Sequence, residues 1–157
     1  MSTHDAPFGF RPCPKPVRGS RPPAEQLRRA AVDLAAFKVR DLTAVHGPTR
    51  ICFQTAKQAT FQEPVDAHHI LGRGNDETRL AHSSVLNCAY LRRDIHTGPL
   101  RDAPDQVRVY LRVALTKVIQ AVGQGRYELN ENDQAFIEYI RGQQPFVADI
   151  YATVNLD

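Results

Sequence analysis

The chain has 157 residues, of which 42% are hydrophobic and 24% are charged, and its formal net charge is +3. This length suffices for one domain with its own core, and the mildly basic composition, with a pI near 8.9, permits a nucleic-acid partner without requiring one. No apolar run approaches the roughly 18 residues that span a bilayer, and residues 1–10 lack an apolar signal core, so we expect a soluble, unexported protein without a membrane partner.

The three cysteines are isolated from one another. Cys13, Cys52 and Cys88 are far apart and form no C-x-x-C pair. An odd number of separated cysteines disfavours both a disulfide framework and a four-cysteine zinc site. Free thiols fit a reducing compartment, so a cytoplasmic location is expected.

Residues 1–23 form a basic, proline-rich segment. They contain six of the eleven prolines, and four basic side chains stand against the single acid Asp5. Proline removes hydrogen-bond donors and favours extended backbone, so we predict a semi-stiff arm outside the core. A solvated tail is the simpler interpretation, and the alternative is an arm that lies along a nucleic-acid backbone or on a partner protein.

Residues 24–46 are predicted to form an amphipathic helix. Apolar residues recur at helical spacing between Pro22-Pro23 and Gly47-Pro48, which mark its two ends. The apolar positions are Leu27, Ala30, Ala31, Leu34, Phe37, Leu42 and Val45. The opposite face mixes basic and acidic side chains, so we interpret it as solvated rather than as a dedicated DNA surface.

Short strands are predicted for the middle of the chain. Alternation over residues 64–70 predicts a strand with His68 on one face and His69 on the other. An irregular polar loop follows to about Ser84, and residues 85–91 are predicted to form a second strand. Residues 51–53 could form another strand. A turn of helix over residues 92–96 must stop at Gly98-Pro99.

The remainder is predicted to be helical. One helix begins at Pro104-Asp105 and ends at Gly123, and a shorter helix runs from Asn130 to Gly142. Residues 145–157 are apolar enough to pack back on the domain. We interpret these apolar stripes as core, which gives a single α+β domain over residues 24–157 with the strands at 50–98 and a helical part at 104–157.

Four of the six histidines lie between Asp66 and His96. Histidine both binds metals as a neutral imidazole and transfers protons near neutral pH, so this segment offers metal ligands and a base together. The adjacent pair His68 and His69 is followed by Asn87 and then by His96. The remaining histidine, His82, is interpreted as structural, although it could replace one of the ligands.

The pattern D-x-H-H-I-x-G-R-G beginning at Asp66, followed by Asn87 and His96, resembles the HNH endonucleases, particularly their short phage-encoded members. The resemblance covers roughly residues 52–98, about a third of the chain. It implies a ββα-metal core in which two strands and a helix converge on one divalent ion. It also implies DNA cleavage in phage DNA processing, in the cytoplasm of a bacterial host.

The resemblance also implies residue roles. His69 matches the general base that takes a proton from the attacking water, and His68 and His96 match metal ligands. Asn87 matches the residue whose amide holds the base strand in place. Asp66 is either a further ligand or a group that orients an imidazole.

The chemistry implied is hydrolysis of a phosphodiester, in which a divalent cation stabilises the developing charge while a base activates water. Nearby arginines could bind phosphate, although each could equally be a solvated surface residue. These candidate nucleic-acid contacts are Arg73, Arg79, Arg92 and Arg93.

The chain departs from the family in two respects. Many members carry two C-x-x-C pairs that bind zinc around the motif, whereas here Thr55 occupies the position that would pair with Cys52. The long flanking helices are expected to supply that support instead. Gly98-Pro99 also shortens the helix that carries His96, so the assignment depends on the orientation of His96.

The ligand types leave the metal open. Imidazoles, with or without a carboxylate, suit Zn²⁺, Ni²⁺ or Mn²⁺, whereas Mg²⁺ prefers oxygen but could be completed by water and phosphate. A second hypothesis is a DNA-binding or assembly accessory protein that retains the ββα-metal scaffold without cutting. A third is a purely structural metal site. The sequence gives no oligomeric state or DNA sequence preference.

Overall fold

The computed structural model describes residues 24–25, 39–72, 74, 78–99, 101–143 and 145–152. The predicted arm at residues 1–23 and the predicted phosphate contact Arg73 lie outside the described residues. Within the predicted helix 24–46, residues 24–25 and 39–46 are helical. We name residues 39–46 α1; its apolar positions Leu42 and Val45 are buried, as their spacing predicts.

The sheet has two antiparallel strands, β1 (Val65–His69) and β2 (Cys88–Arg92). In their register, His68 pairs with Ala89 and His69 pairs with Cys88. The prediction that the second strand starts at Val85 is wrong, because residues Val85–Asn87 form a 3₁₀ turn. The Ser84 side chain accepts a hydrogen bond from the Leu86 N–H at 3.0 Å, which favours the turn over extended backbone.

Two one-turn helices flank β2. Helix α2 (Arg79–His82) lies within the region predicted as an irregular loop, and helix α3 (Arg93–His96) directly follows β2. The predicted strand at residues 51–53 is absent from this described segment, which forms only an isolated bridge between Ile51 and Gln58. The backbone N–H of Phe53 still reaches the sheet, since it donates to the carbonyl of Tyr90 at 2.7 Å.

Three helices complete the domain: α4 (Pro104–Gly123), α5 (Glu131–Arg141) and α6 (Pro145–Tyr151). Proline at the start of α4 and Gly123 at its end agree with the predicted bounds. Helix α4 packs against β2 and the 3₁₀ turn, while α5 packs against α2 and α6. Val147, Ile150 and Tyr151 of α6 are buried, which confirms that this segment packs back on the domain.

A buried carboxylate links α5 to the turn before β2. Asp133 accepts hydrogen bonds from the hydroxyls of Ser84 and Tyr127, both at 2.5 Å, and from the backbone N–H of Asn130 at 3.1 Å. Asn130 accepts in return from the Asp133 N–H, forming a capping box. The start of α5 therefore fixes the position of the 3₁₀ turn that carries Asn87.

The described elements are thus helices around one antiparallel hairpin, which agrees with the predicted α+β class. Within the described part of the chain, no helix combines the length and the apolar character needed to cross a membrane.

Candidate functional site

The hairpin and α3 bring together three of the predicted site residues. Side chains alternate along β1, so Asp66 and His68 share the face on which α3 lies. From α3, the His96 ring centroid lies 5.2 Å from that of His68, and His96 Nδ1 lies 3.1 Å from Asp66 Oδ2. His96 therefore faces the site, even though its helix is only four residues long.

Both oxygens of Asp66 are engaged by neighbouring side chains. Arg93 donates to Oδ1 at 2.9 Å and to Oδ2 at 3.2 Å, and His96 shares Oδ2. The hydrogen bonds from Arg93 and then from His96 lower the pKa of Asp66, because both favour the charged carboxylate. This carboxylate fixes the orientation of the His96 ring and leaves its other nitrogen, Nε2, as the one that can face an ion.

His68 has a buried ring nitrogen without a hydrogen-bond partner. The residue is only 7% exposed, and its Nε2 has no partner among the described residues. Burial lowers the pKa of His68, and the neighbouring His96 lowers it further. His68 is therefore held as the neutral imidazole, which is the form that binds metal ions.

Sequence reasoning missed Asp102, which lies beside His68. Asp102 Oδ1 is 3.7 Å from His68 Nε2. Arg101 ties this part of the chain to α3, since it donates to the carbonyl of His96 at 3.0 Å and to Asp102 Oδ2 at 3.1 Å. The only sequence signal was Gly98-Pro99, which turns the chain back toward the hairpin after α3.

His69, the predicted base, belongs to the opposite face of β1 and is partly exposed. Tyr90 of β2 shares this face, and the guanidinium of Arg50 lies 5.5 Å from the centroid of its ring. Arg50 also donates to the carbonyl of Val65 at 3.1 Å. Sequence reasoning missed this exposed cation beside the strand that carries His69.

Asn87 is fully buried and connects three backbone segments around the end of β1. Its side-chain oxygen accepts from the Leu71 N–H at 2.8 Å, while its Nδ2 donates to the carbonyls of Gly72 and His82 at 3.0 and 2.9 Å. Its backbone carbonyl accepts from the Ile70 N–H at 2.8 Å. These hydrogen bonds hold the chain that leaves His69.

His82 lies away from this cluster. It is 3% exposed, its Nδ1 lies 2.9 Å from the Thr78 carbonyl oxygen, and its ring packs against Tyr139 and Phe136. Such packing is that of a core side chain. The location assigned to it in an irregular loop is wrong, because it ends α2.

Two of the predicted phosphate contacts are paired with acids. Arg93 binds Asp66, and Arg92 donates to both carboxylate oxygens of Asp94 at 2.6 and 2.7 Å. A phosphate would have to compete with these carboxylates for the same donors. Arg79 lies on α2 and is exposed.

His68, His96 and Asp66 fit in part the metal that the resemblance implies. Among the described residues, no three His, Cys, Asp or Glu side chains are arranged so that they could hold an ion as they stand. The buried, unpartnered Nε2 of His68 nevertheless fits a ligand, and the Nδ1 bond of His96 to Asp66 is the usual support of a metal-binding imidazole. Imidazole and carboxylate donors of this kind suit Zn²⁺, Ni²⁺ and Mn²⁺.

Comparison of the chain with known protein families, with curated proteins and with solved structures found no match.

Proposed function

We propose that this protein is a metal-dependent endonuclease of the HNH type, which hydrolyses phosphodiester bonds in DNA. The observation that carries the proposal is the convergence of His68, His96 and Asp66 between β1 and α3. Here His68 Nε2 is buried and has no hydrogen-bond partner among the described residues. Their placement on β1 and on α3, the helix that follows β2, is the arrangement expected of a ββα-metal core. The reaction, hydrolysis of DNA phosphodiester bonds, is proposed from the sequence resemblance.

His68 and His96 would hold one divalent ion, and Asp66 would keep the His96 ring in place. When bound, the ion stabilises the negative charge that develops on the phosphate and on the leaving oxygen. His69 accepts the proton of the attacking water. Asn87 holds the chain that follows His69, so the base keeps its position relative to the phosphate.

The cationic side chains near the hairpin would bind the DNA backbone. Arg50 lies beside the strand that carries His69, while Arg92 and Arg93 lie at the end of β2 and the start of α3. Guanidinium groups bind phosphate oxygens through paired N–H donors. Arg50 contacts the Val65 carbonyl and the Tyr90 ring, and it has no carboxylate partner within the described part of the chain.

The proposal is tested with supercoiled plasmid DNA and the full chain. Nicking or linearisation is expected with Mn²⁺, Ni²⁺, Mg²⁺ or Zn²⁺, and EDTA should abolish it. His69→Ala should lose about a hundredfold or more of the rate, because general-base catalysis typically contributes that much. Thr116→Ala, on the exposed face of α4, is the matched control and should cut like the wild type.

Equal cutting by the wild type and His69→Ala would show that the reaction does not use this base. The alternative, a DNA-binding or assembly protein without nuclease activity, gives a different result. It predicts salt-dependent binding of the plasmid with no cleavage under any of the metals. Filter binding at several salt concentrations, run beside the cleavage assay, separates the two functions.

A further inference from the structure

The 3.7 Å between His68 Nε2 and Asp102 Oδ1 is longer than an N–H···O hydrogen bond, which spans about 2.7 to 3.2 Å. His68 is 7% exposed and Nε2 has no hydrogen-bond partner among the described residues. A buried polar atom usually has a partner, since leaving one without costs about 1 to 3 kcal/mol. Asp102 Oδ1 thus lies just beyond hydrogen-bonding distance of this nitrogen.

This separation fits two donors that share one ion. Imidazole nitrogen and carboxylate oxygen bind Zn²⁺ at about 2.0 to 2.2 Å. Two donors at such distances from one ion, at tetrahedral to wider angles, lie roughly 3.4 to 4 Å apart. The 3.7 Å between His68 Nε2 and Asp102 Oδ1 lies within this range.

The orientation of Asp102 is set by the same part of the chain that carries His96. Arg101 donates one hydrogen bond to the carbonyl of His96 and another to Asp102 Oδ2. With Oδ2 held by Arg101, Oδ1 is the oxygen that points to His68. Asp66 lacks such an uncommitted oxygen, because Arg93 and His96 engage both of its oxygens.

We propose that Asp102 is a ligand of the divalent ion that His68 and His96 hold. This inference rests on the proposed function, and it assigns Asp66 to orienting His96 rather than to binding the ion. Two imidazoles and one carboxylate suit a first-row transition metal with positions left for water and phosphate oxygens. Because the three side chains do not form a ligating group as they stand, binding of the ion would have to draw them together. Asp102 would also supply a negative charge beside the ion, which imidazole ligands do not.

The test measures Ni²⁺ affinity of the full metal-free chain by isothermal titration calorimetry, without DNA. Asp102→Asn should weaken binding by about tenfold or more, by analogy with the loss of supporting groups around metal sites. Asp94→Asn is the matched control: it removes the same charge from an exposed carboxylate that pairs with Arg92 instead. Asp94→Asn should bind Ni²⁺ like the wild type.

A second variant separates ligation from simple charge attraction. Asp102→His keeps a metal ligand but removes the negative charge, so it should bind Ni²⁺ more tightly than Asp102→Asn. The Asp102 side chain is 61% exposed, so neither variant should unfold the protein, and urea unfolding without metal checks this.

Each outcome distinguishes the two proposals. Equal Ni²⁺ affinity of the wild type and Asp102→Asn overturns the role of Asp102 and leaves the proposed nuclease standing. If Asp102→His is as weak as Asp102→Asn, the carboxylate acts through its charge and is not a ligand. If the wild type binds none of Ni²⁺, Mn²⁺, Zn²⁺ and Mg²⁺, both the ligand assignment and the metal-dependent function fail.

Discussion

Asn87 holds the backbone that follows β1 in place through its side-chain hydrogen bonds. Its side chain makes three hydrogen bonds to backbone groups and is fully buried, so water cannot replace any of them. An aspartate would not serve equally well, because the amide nitrogen donates to two carbonyl oxygens that a carboxylate would repel. The physical requirement at this position is therefore an amide.

Asn87→Ala should lower the free energy of unfolding by about 3 kcal/mol or more, because it leaves the Leu71 N–H and the Gly72 and His82 carbonyls unpaired. Urea unfolding followed by circular dichroism measures the change. Asn132→Ala is the control, since Asn132 makes one exposed hydrogen bond to the Leu80 carbonyl. A similar loss in both variants would mean that the burial of Asn87 adds nothing.

The motif in the sequence sufficed to predict that His68, His96 and Asp66 lie together, but not that Asp102 lies beside them. His68 and His96 meet because the motif places them on consecutive elements of one small unit, β1, β2 and α3. Asp102, which lies close to His68, follows that unit in the sequence. Arg50, which lies near the Tyr90 ring, precedes it. Such contacts depend on tertiary packing, which no local pattern reports.

Helix α5 depends on a buried acidic side chain in its first turn. Asp133 is fully buried, and its carboxyl oxygens accept hydrogen bonds from Ser84, Tyr127 and Asn130. The burial of Tyr127 and its bond to Asp133 raise the pKa of Tyr127, which keeps its hydroxyl protonated as a donor. This network joins the helix start to the turn that carries Asn87.

Asp133→Ala should lower the free energy of unfolding by about 3 kcal/mol or more, because it removes the helix cap and leaves two buried hydroxyl groups without their acceptor. Thermal and urea unfolding measure the loss. Asp105→Ala offers a comparison, since Asp105 lies in the first turn of α4, is exposed and makes no side-chain cap. It should cost about 0.5 kcal/mol. If both substitutions lowered the free energy of unfolding equally, the effect of Asp133 would come from its charge near the helix N-terminus and not from its buried hydrogen bonds.

The elements with strong local signals had bounds that the sequence predicted well. Proline begins α4, Asn130 caps α5, and Gly123 and Gly142 mark the two ends. Helix α2 has no such signals and no side-chain cap, and its stability comes from packing against α5. The late start of β2 followed from the Ser84 hydroxyl, a contact whose geometry the sequence does not specify.

The whole molecule supports the hairpin by packing around it. An aromatic cluster packs on the face of the sheet that carries Tyr90, opposite to the face of Asp66 and His68. In this cluster the His46 ring lies 5.2 Å from the Tyr90 ring and 5.5 Å from the Phe53 ring. Cys52 is buried beside it and accepts from the Arg92 N–H at 3.3 Å. Helix α1, residues 50–60 and the sheet are thereby joined.

His46 makes this cluster sensitive to acid. Burial, and then the charge of Lys117, lower its pKa from 6.5 to about 4. Its Nδ1 is buried without a hydrogen-bond partner among the described residues, so nothing there stabilises a proton. Because the unfolded chain binds a proton below pH 6.5 and the folded chain does not until about pH 4, stability falls as the pH falls through this window.

His46→Phe should remove that dependence, because phenylalanine does not titrate. The aromatic ring can be accommodated, since His46 borders a cavity of about 170 Å³ that Phe53 and Tyr90 also line. Between about pH 8 and about pH 4.5, the wild type should lose roughly 2 to 3 kcal/mol more stability than the variant, at about 1.4 kcal/mol for each unit of pKa shift. Urea unfolding at both pH values measures this difference, and the loss of carboxylate pairs at lower pH is common to both proteins and cancels. An equal loss in the two proteins would show that His46 is already protonated in the folded state, and the aromatic cluster would then have to contain a compensating acid.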